Sequence, residues 1–168
     1  ADLASAVTAS REQMVPVDLG LAKTDATDGQ VNRVDRARGT FDQLSALLFR
    51  HAGEPDAPPF AALVSYGAHA TVSGHRSNAI NADYPGALVD RLREATGTEH
   101  VMFAAGTVGD ASPQRPQAAT SEESAVKLGE SLADELTKPV ASADFQPTVT
   151  LANSYLPVDL PGVRVPVT

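Results

Sequence analysis

The sequence has 168 residues, with 13 Lys and Arg against 21 Asp and Glu, so its formal net charge is −8. This acidic balance argues against nucleic-acid binding, and the lack of cysteine excludes disulfide frameworks and thiolate metal sites. The hydrophobic content of 42%, without an apolar run of about 18 residues, predicts one compact domain or a large piece of one, and no membrane span.

The first third of the chain is predicted to hold a helix, a strand and a long loop. Residues 3–14 combine alanines with spaced apolar residues, which favours a helix that Pro16 ends. Apolar residues then alternate with others over 15–21, a pattern typical of a half-buried strand. The stretch 23–40 is polar and rich in charge, so it is predicted to be a surface loop.

The middle of the chain is predicted to form a hairpin and a βαβ unit. Two short apolar runs, 44–49 and 60–66, are joined by a turn that contains one glycine and three prolines. A helix begins near Pro85, and Gly97 is placed to end it. The apolar run 101–105 follows as a strand, which completes a βαβ unit with the second strand of the hairpin.

The last third is predicted to hold a long helix and a terminal strand. Thr120 and Glu123 fit a capping box, and apolar residues follow at helical spacing until Pro139, which is predicted to end the helix. Alternation over 149–160, with one slip of phase, predicts a strand with a bulge. Because strands and helices interleave, we expect an α/β or α+β fold in which helices flank a layered mixed sheet, with no domain boundary within 1–168.

His69 directly follows an apolar strand, and strand ends are where functional side chains gather. A neutral imidazole there can bind Zn²⁺ or carry a proton near neutral pH, and the alternative is a hydrogen-bonded structural histidine. Five residues separate His69 from His75. No regular element would place both rings on one metal, so His75 is a weak candidate for a second ligand.

The loop at 106–113 contains Gly106 and Gly109 and has little bulk, so its backbone can approach a ligand closely. It carries Asp110 and Ser112 after a buried strand, where open α/β sheets present ligand-contacting groups. Ser112 can act as a nucleophile or donate a hydrogen bond to a developing oxyanion, and the alternative is an ordinary Asp-Ala-Ser-Pro turn.

Two other patterns have simpler interpretations. Asp83 precedes a helix, where its carboxylate would accept hydrogen bonds from free backbone amides, although it could also orient a metal-bound histidine. Ser124 and Lys127 match S-x-x-K, but they lie within the capped helix without the companion motifs of a serine hydrolase. We therefore interpret this pair as part of a solvated helix face.

Three motifs occur together in an order that carries a resemblance. They are His69-Ala-Thr-Val, Asn81-Ala-Asp-Tyr-Pro-Gly-Ala87 and Gly109-Asp-Ala-Ser-Pro113, with weaker similarity around Asn32-Arg33 and onward into the helix after Thr120. The chain resembles the neutral/alkaline non-lysosomal ceramidase family. This resemblance covers most of the sequence and implies that the chain is the central part of a larger catalytic domain.

The resemblance implies a zinc-dependent amidohydrolase that cleaves the amide bond of ceramide-like N-acyl lipids. His69 matches a zinc-binding histidine of the family, and Ser112 matches the serine of its G-D-x-S-P loop, with Asp110 beside it as a catalytic candidate. Gly106, Gly109 and Tyr84 then become candidates for substrate binding. Either zinc-bound water or Ser112 would attack the amide.

The sequence also departs from the family pattern. Gln114 stands where the family often has Asn, and no segment matches the family's first zinc histidine or its Glu and Tyr ligands. A catalytic zinc ion needs three protein ligands and an open position, so we expect a second chain, or another fragment of the same precursor, to supply the missing ligands. Ala1 in place of Met agrees with a processed or trimmed chain.

The remaining expectations follow from the resemblance alone. They are secretion or a periplasmic location and peripheral membrane contact for access to lipid, whereas the expectation of no nucleic-acid partner follows from the acidic charge. Two other hypotheses compete with the zinc hydrolase. One is a metal-free serine esterase or amidase that uses Ser112 with His69, and the other is a noncatalytic subunit that has kept the fold.

Overall fold

A computed structural model describes residues 2–74 and 80–159 of the chain. These residues form an α/β fold in which two helices pack on one face of a mixed five-stranded sheet, beside a two-stranded ribbon. The helices and strands are α1 (Leu3–Glu12), β1 (Val17–Asp25), β2 (Gln30–Asn32), β3 (Gln43–His51), β4 (Ala61–Tyr66), α2 (Asp83–Thr96), β5 (His100–Ala105), β6 (Ala111–Pro113), α3 (Ser121–Ala141) and β7 (Phe145–Gln146), with a 3-10 turn at Thr27–Gly29.

The sheet has the strand order β5-β4-β3-β1-β7. Strands β3 and β4 pair antiparallel, which confirms the hairpin, and β4 and β5 pair parallel across α2, which confirms the βαβ unit. Strands β2 and β6 form the separate antiparallel ribbon. Because only β4 and β5 are parallel neighbours, their carboxyl ends lie side by side at one edge of the sheet.

The core lies between the sheet and the two long helices. Successive side chains of a strand point to opposite faces, and the inward set of β1, β3 and β4 is buried against apolar residues of α2 and α3. The helix residues were recognisable from their spacing in the sequence. The fully buried members include Ala46, Leu48, Val64, Leu88, Leu92, Leu132 and Leu136.

The capping and turn residues in the sequence correctly predicted most of the helix ends. The Thr120 side chain accepts a hydrogen bond from the Glu123 amide, as the capping box predicts, and Gly97 ends α2 in the left-handed conformation with φ of 71°. Pro139 was wrongly predicted to end α3, which continues to Ala141. Proline in the last turn removes one backbone donor, and the Ser142 amide still donates to the carbonyl of Lys138 beyond it.

Two loop and strand predictions were wrong. The predicted loop 23–40 contains the end of β1 and all of β2, because these polar residues find partners in β3 and β6 that are distant in sequence. The predicted strand at 149–160 has no regular structure over 149–159, where every residue is exposed, and Leu160 lies outside the described residues. Strand β7 forms earlier, at Phe145–Gln146.

The predicted N-terminal helix is confirmed as α1, although all of its residues are exposed. Within the described part of the chain, no helix is both long enough and apolar enough to cross a membrane.

Gly129 allows α3 to lie directly against the first turns of α2. A Cβ atom at this position would collide with the carbonyl oxygen of Tyr84 and lie 2.7 Å from both the Ala87 Cβ and the Leu88 nitrogen. Two of these contacts are with backbone, which has little freedom to move aside. The small residue therefore sets the distance between the two helices.

We predict that Gly129→Ala lowers the free energy of unfolding by about 2 kcal/mol or more, because the added methyl group overpacks the contact between the helices. Urea denaturation would measure the change. Gly39→Ala is the matched control, since nothing lies within 4 Å of a Cβ at Gly39. Equal stability of the two variants would contradict the assigned contact.

Candidate functional site

The candidate site lies at the edge of the sheet where β4 and β5 end. Gly67 and Gly106 follow these strands and pass each other closely, and a Cβ on Gly106 would lie 3.3 Å from the Cα of Gly67. The Gly106 amide also donates to the Tyr66 carbonyl at 2.9 Å. Gly106, a candidate for substrate binding, therefore allows the two strand ends to pack together.

The segment that carries His69 is fixed by α2. The Tyr84 hydroxyl donates to the Ala68 carbonyl at 2.6 Å, and Tyr84 is fully buried. Burial raises the pKa of Tyr84, and the Asp83 carboxylate acts in the same direction, so the hydroxyl remains a donor at neutral pH. Tyr84 thus positions the backbone next to His69, and its predicted contact with substrate stays a prediction.

Asp83 also holds the segment that carries His69, at residues 72–73. Its carboxylate accepts hydrogen bonds from the amides of Val72 at 3.2 Å, Ser73 at 2.7 Å and Tyr84 at 2.8 Å. The Asp83 backbone has φ of 53°, a left-handed conformation that is uncommon for residues other than glycine. The predicted helix-start carboxylate is therefore also a clamp between α2 and residues 72–73.

Ser112 and Asp110 lie on or beside the two-stranded ribbon. Ser112 belongs to β6, opposite Val31 of β2, so 111–113 form a strand where a loop was predicted. The side chain amide of Asn32 donates to the Asp110 carboxylate at 3.1 Å, and the Arg33 amide donates to the Asp110 carbonyl at 2.7 Å. The pairing of β2 with β6 therefore holds both candidates in place. Ser112 is half-buried within β6, and Asp110 directly precedes this strand.

Gly109 and Arg33 add a second link across the ribbon. The Arg33 Nε donates to the Gly109 carbonyl at 3.1 Å, and a Cβ on Gly109 would meet open space. Gly109, another candidate for substrate binding, therefore faces an open region. Its carbonyl is held by Arg33, which directly follows β2.

Further hydrogen bonds tie the ribbon to the His69 segment. Beyond Ser112, the Gln114 amide donates to the Gly29 carbonyl at 2.9 Å, and the Arg115 guanidinium donates to the Thr71 carbonyl at 3.0 Å. Arg115 thus connects the segment after Ser112 with the segment after His69. The two groups of candidates are brought to the same edge of the fold.

Three residues of this edge were missed as site components from the sequence. Asn32 orients Asp110, Arg115 bonds to the His69 segment, and Gln30 is buried and donates to the Phe41 carbonyl at 2.8 Å. The sequence showed Asn32 only as part of a weak similarity. Each partner is distant in sequence, so no local spacing could identify these contacts.

The described residues do not complete a zinc site. No group of three His, Cys, Asp or Glu side chains able to hold a metal ion occurs in residues 2–74 and 80–159. His69 is half-buried and would be a single ligand, and His75 lies outside the described residues. Because a catalytic zinc ion requires three protein ligands, these residues alone do not fit one.

The arrangement offers the imidazole of His69 on the segment after β4, and the Ser112 hydroxyl and the Asp110 carboxylate on the ribbon. In the described part of the chain, no hydrogen bond joins the Ser112 hydroxyl to the His69 ring, as a serine nucleophile with its base would require. The Asp110 carboxylate is directed to Asn32. Each group is therefore positioned by the fold, without forming a serine triad.

We predict that Asp83→Ala destabilises the His69 segment by about 1–3 kcal/mol, because it leaves backbone donors without their acceptor. Hydrogen exchange of the Val72 and Ser73 amides should accelerate selectively. Asp83→Asn is the matched control, since it keeps one acceptor oxygen and tolerates the left-handed backbone. Unchanged exchange of both amides in Asp83→Ala would contradict the clamp.

Comparisons with protein-family models and with curated proteins gave no match. Solved structures did match: the neutral ceramidase from Pseudomonas aeruginosa has a TM-score of 0.67 at 15% identity, over 83% of this chain and 25% of that chain. A ceramidase complexed with C2 has a TM-score of 0.62 at 15% identity, over 77% of this chain and 23% of that one. The chain therefore has the fold of about a quarter of a neutral ceramidase.

Proposed function

We propose that the chain is the central part of a zinc-dependent amidohydrolase that cleaves the amide bond of ceramide-like N-acyl lipids. The observation that carries this proposal is the meeting of three sequence motifs at one sheet edge. The His69 segment is bonded to Asp83 and Tyr84 of the second motif, and Arg115 connects it to the strand that carries Ser112 of the third.

The likeness to solved neutral ceramidases supports the proposal through the fold. At 15% identity this likeness concerns the backbone arrangement, and the chain spans about a quarter of those structures. The activity and the substrate therefore come from the motifs and their placement. An N-acyl lipid and a second chain or further segment of the same precursor are the partners proposed, with export from the cytoplasm and peripheral contact with a membrane.

The roles proposed for this chain's residues follow from their chemistry. Ser112 has a half-buried hydroxyl group that can donate a hydrogen bond to the developing oxyanion of the amide, or attack it once a base is present. Asp110, held by Asn32, sets the position of the Ser112 strand. His69 would contribute one zinc ligand, and further ligands would come from outside the described residues.

A noncatalytic subunit that has kept the fold is the second candidate. The observation that favours it is the lack, within 2–74 and 80–159, of three metal-binding side chains in one group. The two candidates differ in what the native material contains. A zinc hydrolase requires partner segments that complete the site, whereas a noncatalytic subunit would carry no zinc even when such partners are present.

We predict that His69→Ala removes zinc from natively purified material and lowers the rate of N-acylsphingosine hydrolysis by at least about a hundredfold. This loss exceeds the one expected when a residue that only hydrogen-bonds to a metal ligand is replaced. Elemental mass spectrometry and a fatty-acid release assay would measure the two effects. Arg11→Ala is the control, since Arg11 is exposed on α1, away from the sheet. Zinc content and activity that both survive in His69→Ala would overturn the assignment.

We predict that Ser112→Ala lowers the rate of amide hydrolysis roughly 100- to 1,000-fold, as expected for loss of a donor to the oxyanion. Zinc content should be unchanged. Wild-type protein treated with a chelator should lose activity as well. Activity that survives removal of zinc and is lost in Ser112→Ala would instead support the metal-free serine hydrolase.

A further inference from the structure

The sheet has an apolar face that no described element covers. Helices α2 and α3 pack on the other face, and strand registry aligns four exposed apolar side chains across β1, β3, β4 and β5 on this outer face. Their exposed fractions are 52% for Leu21, 37% for Leu47, 37% for Leu63 and 66% for Met102. They form one continuous row, which we call the outer row.

The rows on either side of the outer row carry little charge. Towards the candidate site lie Lys23, Ser45, Ser65 and Ala104, and on the other side lie Leu19, Phe49, Ala61 and His100. Sheets with one solvated face alternate apolar and polar residues, whereas sheets covered on both faces are apolar throughout. The outer face therefore has the composition of a sheet surface that is covered in the functional protein.

We propose that the outer face is the docking surface for a further protein layer of the same catalytic unit. This inference rests on the proposed function. Ser65 and Ala104 immediately precede the last residues of β4 and β5, which Gly67 and Gly106 follow, so a layer on this face would end beside the candidate site.

The length of the solved relatives supports this occupant. The chain matches about a quarter of each neutral ceramidase structure, so a complete fold of that kind contains three times as much additional protein. The remainder of such a fold would cover the outer face.

A second copy of the chain fits this surface less well. The three rows cover roughly 14 Å by 14 Å, or about 200 Å², from the usual spacing of strands and residues. A stable protein–protein interface buries about 800 Å² on each partner. A layer of the same catalytic unit would not be limited to this area, whereas a symmetric pairing of outer faces would be.

The two methionines provide the test. Met102 lies on the outer row and Met14 lies outside the sheet, and both are well exposed, at 66% and 78%. Oxidation by dilute hydrogen peroxide, followed by peptide mass spectrometry, would compare the isolated 168-residue chain with material purified natively from its source. We expect Met102 to react about tenfold more slowly in the native material, while Met14 changes by less than about twofold.

Zinc analysis of the same native material separates this inference from the proposed function. Protected Met102 without zinc would support the docking surface and refute the zinc hydrolase. Reactive Met102 with zinc present would overturn the docking surface and leave the hydrolase standing. Protection of Met102 in the isolated chain would also overturn the docking surface. If this protection increases with protein concentration, a second copy covers the face; if it does not, a segment of this chain covers it.

A pair of variants tests whether the surface is needed. Leu63→Glu places a charge in the outer row, and Leu3→Glu places the same charge on exposed α1. We expect Leu63→Glu to restore rapid oxidation of Met102 in native material, with thermal unfolding of the isolated chain close to that of Leu3→Glu. Protection of Met102 that persists in folded Leu63→Glu would overturn the inference.

Discussion

The contact between Gly129 of α3 and the backbone of Tyr84 in α2 is the constraint on which the candidate site depends. It sets the distance between α3 and α2, and α2 in turn carries the Tyr84 hydroxyl to the Ala68 carbonyl and the Asp83 carboxylate to Ser73. The position of His69 is therefore determined by helix packing more than by its own side chain. A larger residue at Gly129 would move the whole segment.

Much of the fold could be predicted from the sequence because its signals are local. The hairpin, the βαβ unit and the capped helix α3 depend on apolar periodicity, turn residues and caps within short windows. The ribbon of β2 and β6 could not be predicted, since paired residues such as Asn32 and Ala111 are distant in sequence and only this pairing makes the two segments strands. The prediction that Pro139 ends α3 was wrong because the helix continues to Ala141, where the Ser142 amide bonds to the Lys138 carbonyl.

Part of the candidate site could likewise be predicted from the sequence, and part could not. His69 and the loop with Ser112 follow apolar strands, so their position at a sheet edge followed from the order of elements. The contributions of Gln30, Asn32 and Arg115 could not be predicted from the order of elements. Each side chain bonds to a partner that is distant in sequence, and its role is recognisable only when that partner is known. The proposed docking surface also could not be predicted in full. Alternation of apolar residues along β4 shows that Leu63 points to one face, but only the pairing of Leu63 with Leu47 and Met102 shows that this face is continuous.

The aromatic core has a spectroscopic consequence. The chain contains no tryptophan and three tyrosines, two of which, Tyr66 and Tyr84, are buried with their rings in edge contact at 6.4 Å. The third, Tyr155, is 90% exposed and distant from regular structure. Intrinsic fluorescence therefore contains the signal of one exposed tyrosine and of two buried ones, of which Tyr84 supports the His69 segment. Excitation of tyrosine alone reports local opening of this edge, without an introduced label.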